Sequence, residues 1–584
     1  MQAWSAMPSC LFLVLMGAMG VAADEEVALF ETKGVSAHTT DTGRSDYLSV
    51  CYFTNWARYR SGLINKGEDV FEMGLDADLC THLMYGFVYV FKDAATGHYA
   101  LRAHDPNADH PSGSEQQTTL CPEPCNDPNF RPDWNDPSGV RCDWPCSPSR
   151  KYRGFEGATV AMKRKNPSLK TIVSVGGWNF NDCTCTDCFG QGAQTCEIFS
   201  TIAASEAETR QFAKNILAFC RNWGFDGFDL DWEYPVVAGH NSLKKDANGD
   251  FVATPQDYDN YINMLRILRE EFHAENPSNP LVLTAAVGVG KPIVEAAYNI
   301  PAMIEHLDLI NLMTYDLHGA WEPHTGCNAN LFSTQADIAL DGYALSVSWG
   351  VDHWIKHTGA PGKLTMGLGA YGRGWKLSDP SNTSYGAPGS GASGEGPSTK
   401  AAGYLSYYEI ENEINNKGAT RHYDNERQCP YIVTTSGEWF GYDDKQSLRA
   451  KLDYVKSKGL SGTMVWALDL DNFADGYTLV SYAREYLRGD SPPVPTTLAP
   501  TTAPTTLAPT TAPTTLAPTT APTTLAPTPE PPTPTPTPGA CDAIEGNQHG
   551  CTNDSCQQCL EGYQWWPCNV VSPPCCECVA EQRP

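Results

Sequence analysis

The stretch Asp226-Gly-Phe-Asp-Leu-Asp-Trp-Glu-Tyr-Pro235 decides how the rest of the chain is interpreted. Side chains of a β-strand point alternately to two faces, so Asp229, Asp231 and Glu233 would share one face. The apolar residues that alternate with them would share the other. Crowded carboxylates add little stability, but they raise one another's pKa values because like charges a few Å apart cannot all ionise freely. The stretch therefore predicts a reaction centre.

The charge of the chain limits its partners. The 584 residues include 68 acidic and 40 basic side chains, which gives a formal net charge of −28. We therefore expect no nucleic acid and no anionic membrane surface as partner. A neutral or cationic ligand fits better, although an acidic surface also serves solubility.

Residues 1–23 are predicted to be a secretory signal peptide. Residues 11–16 are its apolar centre, and Val21-Ala22-Ala23 offers small residues for cleavage, although the usual positive start is absent. No later stretch is apolar for long enough to span a bilayer. The 22 cysteines agree with an oxidising compartment. We expect a secreted, extracellular protein in which residues 24–46 are an N-terminal extension.

Between residues 47 and 488, short apolar runs alternate with helical patterns. Helices are predicted near 205–220, with a capping box from Ser205 and Glu208, and near 258–272. Strands are predicted at 48–53, 82–90, 171–175, 227–231, 282–286, 307–313, 364–368 and 463–468. Eight such alternations predict an α/β fold, the (β/α)₈ or TIM barrel, whose active site lies at the C-terminal strand ends. The opening stretch is then the fourth strand, with Glu233 just past its end.

Three insertions follow predicted strands and should therefore lie at the catalytic rim. Residues 98–150 and 181–196 are cysteine-rich, and residues from about 372 to 460 form a predicted α+β insertion with strands near 431–434 and 438–442. The cysteines are Cys121, Cys125, Cys142 and Cys146 in the first, and Cys183, Cys185, Cys188 and Cys196 in the second. The second group has a spacing that also occurs in metal sites. Secretion favours disulfides.

The C-terminal part is predicted to be separate. Residues 489–539 repeat Thr, Pro, Leu and Ala, a composition that cannot bury a core and is typical of an O-glycosylated linker. Residues 540–584 hold eight cysteines together with Tyr563, Trp565 and Trp566. So short a segment would fold as a small disulfide-rich module.

Several motifs resemble those of family 18 glycoside hydrolases, the chitinase family, and in particular secreted animal chitinases. The fourth-strand signature is Asp226-x-x-Asp229-x-Asp231-x-Glu233, and it is highly specific. The others are Ser174-Val-Gly-Gly-Trp178, Leu312-Met-Thr-Tyr-Asp316 with His318-Gly-Ala-Trp321, Tyr371-Gly-Arg373, Met464-Val-Trp466-Ala-Leu-Asp469, and Cys51-Tyr-Phe-Thr-Asn-Trp56. The resemblance covers residues 47–488.

The resemblance implies substrate-assisted catalysis with retention, the family's exception to the two-carboxylate rule. Glu233 would protonate the glycosidic oxygen, while the N-acetyl oxygen of the bound sugar attacks. Asp231 would orient the acetamide N–H and share a proton with Asp229, and Tyr315 would bind the acetamide oxygen. Neither a cofactor nor a metal is expected, although clustered acids could in principle hold Ca²⁺ or Mg²⁺.

Further residues are assigned by the same resemblance. Trp466 would form the floor under the scissile sugar, and Ser174 and Asp226 would support the strands rather than touch substrate. The expected cleft residues are Tyr52, Trp56, Trp178, Asp316, Trp321, Tyr371 and Arg373.

Two features of the cysteines follow. The resemblance pairs Cys51 with Cys80. The catalytic part has 13 cysteines, and Cys220, on the apolar face of a helix, is predicted to be the free thiol. Cys327 stands where animal relatives commonly have His, and we expect it to pair with Cys429. Gly369 also departs from the family, which usually has Pro there.

The function predicted from the resemblance is hydrolysis of β-1,4 bonds between N-acetylglucosamine units by a monomeric chitinase. Its partners would be chitin and N-acetylglucosamine oligomers. One alternative is a chitinase-like lectin that binds chitin without cutting it. Another is a lysozyme-like or endo-β-N-acetylglucosaminidase activity. Residues 540–584 are predicted to bind chitin, although their cysteine spacing matches neither the six-cysteine invertebrate module nor the eight-cysteine hevein pattern.

Overall fold

The computed structural model describes residues 46–66, 73–102, 154–181, 195–236 and 254–489, and two short strands near the C-terminus. The chain divides into two units, Met1–Thr497 and Leu498–Pro584. In the second unit the strands Tyr563–Trp565 and Cys578–Ala580 pair antiparallel. The predicted signal peptide, most of both cysteine-rich insertions and the predicted linker lie outside the described residues.

Eight parallel strands form a closed barrel in the first unit. Neighbours along the chain are neighbours in the sheet, and β1 pairs with both β2 and β8, which closes the ring. The strands are β1 (Leu48–Thr54), β2 (His82–Lys92), β3 (Lys170–Gly176), β4 (Gly227–Asp231), β5 (Val282–Val287), β6 (Leu309–Leu312), β7 (Leu364–Gly369) and β8 (Gly462–Trp466). The predicted TIM barrel is confirmed, and each predicted strand overlaps an observed one.

Helices surround the barrel, and some lie in the connections. They are α1 (Gly154–Ala161), α2 (Ile198–Ala203), α3 (Glu206–Trp223), α4 (Asp257–Glu275), α5 (Lys291–Ala297), α6 (Ile300–His306), α7 (Gln335–Asp341), α8 (Val347–Thr358), α9 (Tyr407–Lys417), α10 (Lys445–Lys458) and α11 (Thr478–Arg488). Short 3₁₀ helices span Asn55–Tyr59, Met162–Arg164, Trp178–Asn181, Pro361–Lys363, Leu468–Leu470 and Phe473–Asp475. No helix in the described ranges is long and apolar enough to cross a membrane.

The N-terminus of α3 differs in detail from its prediction. The Ser205 hydroxyl accepts the Glu208 N–H at 3.3 Å, which is half of the expected capping box. The Glu208 carboxylate instead accepts the N–H of Tyr99 at 2.9 Å and contacts His98 at 2.8 Å. Tyr99–Arg102, at the start of the first insertion, pairs antiparallel with the end of β2. Glu208 therefore ties α3 to that strand.

A smaller antiparallel sheet follows β7. Its strands are, in spatial order, Gly389–Ala392, Tyr371–Leu377, Glu438–Gly441, Cys429–Val433 and Thr420–Asp424, with Tyr404–Ser406 also paired to Tyr371–Leu377. Its buried cluster contains Trp375, Trp439 and the disulfide of Cys327 and Cys429. A short antiparallel hairpin, Ser61–Gly62 with Asn65–Lys66, follows β1.

The surroundings of β4 explain why apolar and acidic residues alternate along this strand. The Phe228 ring meets Phe212 of α3 edge-on, with ring centroids 6.3 Å apart. Trp232, just past the strand, packs at 5.7 Å on Phe199 and at 5.6 Å on Tyr261. The apolar face therefore packs on the helices, and the carboxylates point into the barrel.

The cysteine predictions on described residues are confirmed. Cys51 is bonded to Cys80, with their Cα atoms 6.0 Å apart, and Cys327 is bonded to Cys429. Among the described residues Cys220 is the free cysteine, and it is buried. Cys196 is also disulfide-bonded. The remaining cysteines of the two insertions lie outside the described residues.

Candidate active site

The C-terminal ends of β3 and β4 meet where the acidic residues lie. The N–H of Gly177 donates to the Asp231 carbonyl at 2.8 Å. Gly176 has φ of +111°, and a side chain there would collide with the same carbonyl, so only glycine suits this position. The two glycines thus bring β3 against the end of β4. The backbone N–H of Trp178 is thereby directed at Glu233.

Asp229 lies fully buried inside the barrel and accepts three hydroxyl hydrogen bonds. They come from Tyr52 at 2.8 Å, Ser174 at 2.7 Å and Thr284 at 2.5 Å. Burial raises the pKa of Asp229, and these donors oppose that rise. Asp229 is therefore fixed by its hydrogen bonds, and its burial leaves no surface for contact with a substrate.

Asp231 is the last residue of β4 and is 4% exposed. Its Oδ1 atom is buried and has no hydrogen-bond partner among the described residues. Burial raises the pKa of Asp231 well above its usual range, and the charges of Glu233 and Asp229 raise it further. An acceptor oxygen of this kind requires a donor.

Glu233 stands just beyond the strand and is half-buried. Its pKa is raised to about 7, first by burial and then by the charge of Asp316. The side chain of Tyr234 and the N–H of Trp178 oppose the rise. The sequence predicted repulsion between acids as the cause, whereas desolvation contributes most. A carboxyl group that is still protonated near pH 7 can act as a general acid.

Tyr315 and Asp316 follow β6, and both interact electrostatically with Glu233. Tyr315 is 9% exposed, and among the described residues its hydroxyl donates to the Met464 sulfur at 3.6 Å, a weak acceptor. Asp316 accepts two bonds from Arg373, both 2.7 Å, and one from the Tyr371 hydroxyl at 2.8 Å. The strand that follows β7 thus fixes Asp316, while the Tyr315 hydroxyl remains available as a donor.

Aromatic rings surround these polar groups. Trp466, at the end of β8, stacks on Phe87 at 5.7 Å and lies 6.3 Å from Trp56. Trp178 and Trp321 are 38% and 43% exposed, which is unusual for Trp in a folded protein. Trp466 is therefore part of a packed aromatic cluster at the C-terminal end of the barrel, whereas the indole rings of Trp178 and Trp321 face solvent.

The structure places Tyr52 inside the barrel and Asp226 at the N-terminal end of the barrel, where Asp226 contacts the neighbouring strand. Tyr52 is 1% exposed and its hydroxyl is bonded to Asp229, so it supports the carboxylates instead of lining a cleft. Asp226 precedes β4, at the N-terminal end of the barrel, roughly 16 Å from Asp231 along the strand. It pairs with Lys163 at 2.8 Å and accepts the Thr171 N–H. Asp226 therefore stabilises the bottom of the barrel and not the site.

Sequence reasoning missed other residues of the site. Tyr404 stacks on Tyr371 with centroids 4.6 Å apart, and its ring lies 5.0 Å from the Arg373 guanidinium. Arg60 pairs with the buried Asp469 at 2.9 Å. These residues lie outside the quoted motifs or gain their partner only through long-range contact. Nothing local in the sequence indicated them.

No three His, Cys, Asp or Glu side chains within the described ranges form a group that could hold a metal ion. Tyr563 and Trp565 of the terminal module lie in a short strand, and Trp566 lies outside the described residues. For this module only the backbone of the two short strands is described, and its side chains are not. The described residues thus bring together a proton donor, a carboxylate oxygen without a partner among them, and a phenol that interacts electrostatically with both acids.

Solved structures with the same fold include proteins of the chitinase group. The Ostrinia furnacalis Group IV chitinase in complex with allosamidin is 28% identical, with a TM-score of 0.58 over 76% of this chain and 100% of that chain. Human YKL-39, described as a pseudo-chitinase with retained chitooligosaccharide binding properties, is 27% identical with a TM-score of 0.57, over 76% and 99% of the two chains.

Comparison of the amino-acid sequence leads to the same group of proteins. A probable endochitinase of Caenorhabditis elegans is 31% identical over 456 residues, 76% of this chain and 61% of that protein, so less than two thirds of its length is spanned. Chitotriosidase-1 of Mus musculus is 31% identical over 428 residues, 73% and 74% of the two chains. The family model for glycosyl hydrolases family 18 matches residues 49–471. The chain therefore belongs to glycosyl hydrolase family 18.

Proposed function

We propose that this protein is an active, secreted chitinase that cleaves β-1,4 bonds between N-acetylglucosamine units with retention of configuration. The observation that carries this proposal is the pairing of Glu233, whose pKa is about 7, with the buried Asp231, whose Oδ1 has no partner among the described residues. The first group can donate a proton to a leaving oxygen. The second can accept an N–H bond from the acetamide of the sugar.

In the first step, the Glu233 carboxyl transfers its proton to the glycosidic oxygen as the bond to the sugar C1 breaks. The acetamide oxygen of the same sugar bonds to C1 from the opposite face, which gives a cyclic oxazolinium ion. Asp231 accepts the acetamide N–H and stabilises the positive charge, and the Tyr315 hydroxyl donates to the acetamide oxygen. Water then bonds to C1 as the bond between C1 and the acetamide oxygen breaks, which regenerates the acetamide, and the water gives a proton to the Glu233 carboxylate, which restores the acid.

The names of relatives support the substrate class. Curated relatives are named endochitinase and chitotriosidase. A solved relative was crystallised with a chitooligosaccharide. For secretion, the support is the N-terminal leader pattern together with the disulfides of Cys51–Cys80 and Cys327–Cys429. We propose that the enzyme acts as a monomer.

A second candidate is a lectin that binds chitin oligomers without cutting them. The observation that favours it is the similarity to human YKL-39, which is described as a pseudo-chitinase. Both activities would use the exposed indole rings of Trp178 and Trp321 as sugar platforms. The acid Glu233 distinguishes them, because a binding protein has no use for it.

The test compares wild type with Glu233→Gln on fluorogenic chitobioside and chitotrioside. We expect a loss of roughly 10²–10⁴-fold in kcat, since a general acid contributes that much. Binding of chitotetraose should persist in the variant. Equal rates would refute Glu233 as the acid, and no hydrolysis by wild type with intact binding would establish the lectin instead.

A further inference from the structure

A buried histidine–glutamate pair lies in the loop after β6, within the site but outside the proposed chemistry. His318 is 1% exposed, and its Nδ1 lies 2.9 Å from Glu322 Oε2. His318 comes two residues after Asp316, and Glu322 directly follows Trp321. The pair therefore joins both ends of the short segment that carries a site carboxylate and an exposed indole ring.

Glu322 is held from several sides. Its N–H donates to the Gly319 carbonyl at 2.9 Å, which closes a tight turn. Its carbonyl accepts the indole N–H of Trp375, in the insertion, at 3.1 Å. A side chain at Gly319 would collide with the Trp321 ring, so this ring lies against the turn. The position of Glu322 thus determines where the exposed indole of Trp321 stands.

The other side of Trp321 connects to the catalytic groups. The Arg373 guanidinium carbon lies 5.4 Å from the Trp321 ring centroid, within cation–π range. Arg373 also donates both of its bonds to Asp316. Within the segment from Asp316 to Glu322, Arg373 therefore contacts both Asp316 and Trp321. The buried His318 contacts Glu322.

The surroundings of His318 favour its charged form. Burial opposes the charge, but Glu322, Asp341 and Asp337 outweigh burial and raise the pKa of His318 above its ordinary 6.5. The charged groups that act on it are Glu322 on its own loop and Asp337 and Asp341 on α7. The Tyr385 ring packs against it in a T-shaped contact, with ring centroids 6.4 Å apart. Further out, His324 interacts with Asp341, and the Arg427 guanidinium carbon lies 3.8 Å from the Tyr385 centroid. Arg427 itself is paired with Asp337 at 2.7 Å.

We propose that His318 is a positioning residue: its charged pair with Glu322 fixes Trp321 against Arg373 and thereby sets the affinity for the sugar that stacks on Trp321. This inference rests on the proposed function, because it assumes a sugar ligand. His318 touches no reacting atom, so its loss should weaken binding more than it slows the chemical step.

The test measures chitotetraose affinity by calorimetry in a Glu233→Gln background, where neither hydrolysis nor Glu233 titration interferes. His318→Phe keeps an aromatic ring but removes the donor, and we expect about a tenfold weaker affinity. His318→Asn keeps a donor near the Nδ1 position and should recover part of the loss. His357→Phe, an exposed position on α8, is the matched control and should bind as the parent does.

The pH dependence of chitotetraose affinity is a second measurement, and a purely structural role of His318 would not change it. The pKa of His318 is raised on folding, so the charged pair is complete at low pH and is lost as pH rises through that value. Chitotetraose affinity should therefore fall as pH rises above about 6.5, His318's unperturbed value. The fall should be absent in His318→Phe.

In the wild-type background, His318→Phe should raise KM with kcat within about twofold. If this variant does not fold, Glu322→Gln takes its place with the same expectation. Unchanged affinity at every pH, or a lower Tm with unchanged affinity, would overturn the inference while leaving the proposed function intact. A parent protein that binds no oligomer would overturn the proposed function and this inference with it.

Discussion

At the scale of single residues, burial distinguishes the three acids of β4. Asp229 is enclosed by hydroxyl donors, Asp231 is enclosed with one oxygen that has no partner in the described part of the chain, and Glu233 is half-buried at the strand end. Repulsion between acids is present for Asp231, but desolvation is the larger cause of each raised pKa. Three similar side chains thus have three different environments because they lie at different depths in the barrel.

The pKa of Glu233 predicts the pH profile of hydrolysis. Because the acid must be protonated, the rate should fall as pH rises through about 7. The nearby charge of Asp316 raises that pKa, so Asp316→Asn should move the fall to lower pH. The measurement is kcat/KM against pH with a fluorogenic chitobioside.

Asp226→Asn is the control for this profile, since it makes the same change at the opposite end of β4. It should leave the position of the fall unchanged because Asp226 pairs with Lys163 at the other end of the barrel. A fall that stays in place in Asp316→Asn would contradict the assignment of Asp316 as a cause.

At the scale of elements, β4 performs two tasks on its two faces. Its apolar residues bind the helix layer, and its acids face the barrel interior. Strand alternation alone predicted this division, because every second side chain must point the same way. The depth of each acid could not be predicted, since it depends on neighbouring strands that supply Ser174 and Thr284.

The division of β4 can be tested by a substitution on its outer face. Phe228→Ala should lower the free energy of unfolding by about 3–5 kcal/mol, as expected for a fully buried phenylalanine. The activity per folded molecule should change little, because Phe228 points away from the carboxylates. Urea unfolding and the rate at 25 °C are the measurements.

The control is Phe332→Ala, whose side chain is 39% exposed and should cost about 1 kcal/mol or less. If Phe228→Ala were as mild as Phe332→Ala, the packing of β4 on α3 would not be what holds this strand in place.

At the scale of the whole barrel unit, the insertion is fastened to the catalytic rim. Cys327 lies in the loop after β6 and Cys429 starts a strand of the insertion, so their disulfide crosses 102 positions of sequence. The Thr325 N–H donates to the Ala387 carbonyl at 2.9 Å, and the Gly386 N–H donates to the Thr325 carbonyl at 3.0 Å. The segment that carries Asp316 and Trp321 thus depends on the insertion for its position.

Removal of this disulfide should destabilise the protein. Cys327→Ser with Cys429→Ser should lower the free energy of unfolding by about 2–5 kcal/mol, because the closed loop is long. Urea unfolding of the double variant is compared with Cys220→Ala, which removes a buried thiol without a crosslink. An equal stability of wild type and the double variant would show that the sheet contacts alone hold the insertion.

The terminal module provides a prediction for the full chain. Residues 540–584 carry two adjacent tryptophans, Trp565 and Trp566, that could stack on chitin chains. The double variant Trp565→Ala, Trp566→Ala should be retained less by insoluble chitin, with hydrolysis of soluble chitotrioside unchanged. Binding through a tethered module raises the effective concentration at a solid surface. Equal retention of both proteins would exclude chitin binding by these residues.

The chain order of strands and helices and the position of Glu233 past the fourth strand were determined by the sequence alone. Hydrophobic periodicity and alternation depend only on residues that are near one another in the sequence. They can therefore be recognised without knowledge of tertiary contacts. The pairing of Cys327 with Cys429, although anticipated, also needed the fold for its confirmation.

What only the tertiary structure decided was the environment of each group. Tyr52 became a support of Asp229, Asp226 went to the far end of the barrel, and His318 met Glu322 beneath Trp321. Burial and long-range contact fix pKa values and hydrogen-bond partners, and neither is encoded in the spacing of residues along a strand. The acids of β4 were visible in the sequence, but their roles depend on which strands and loops surround them.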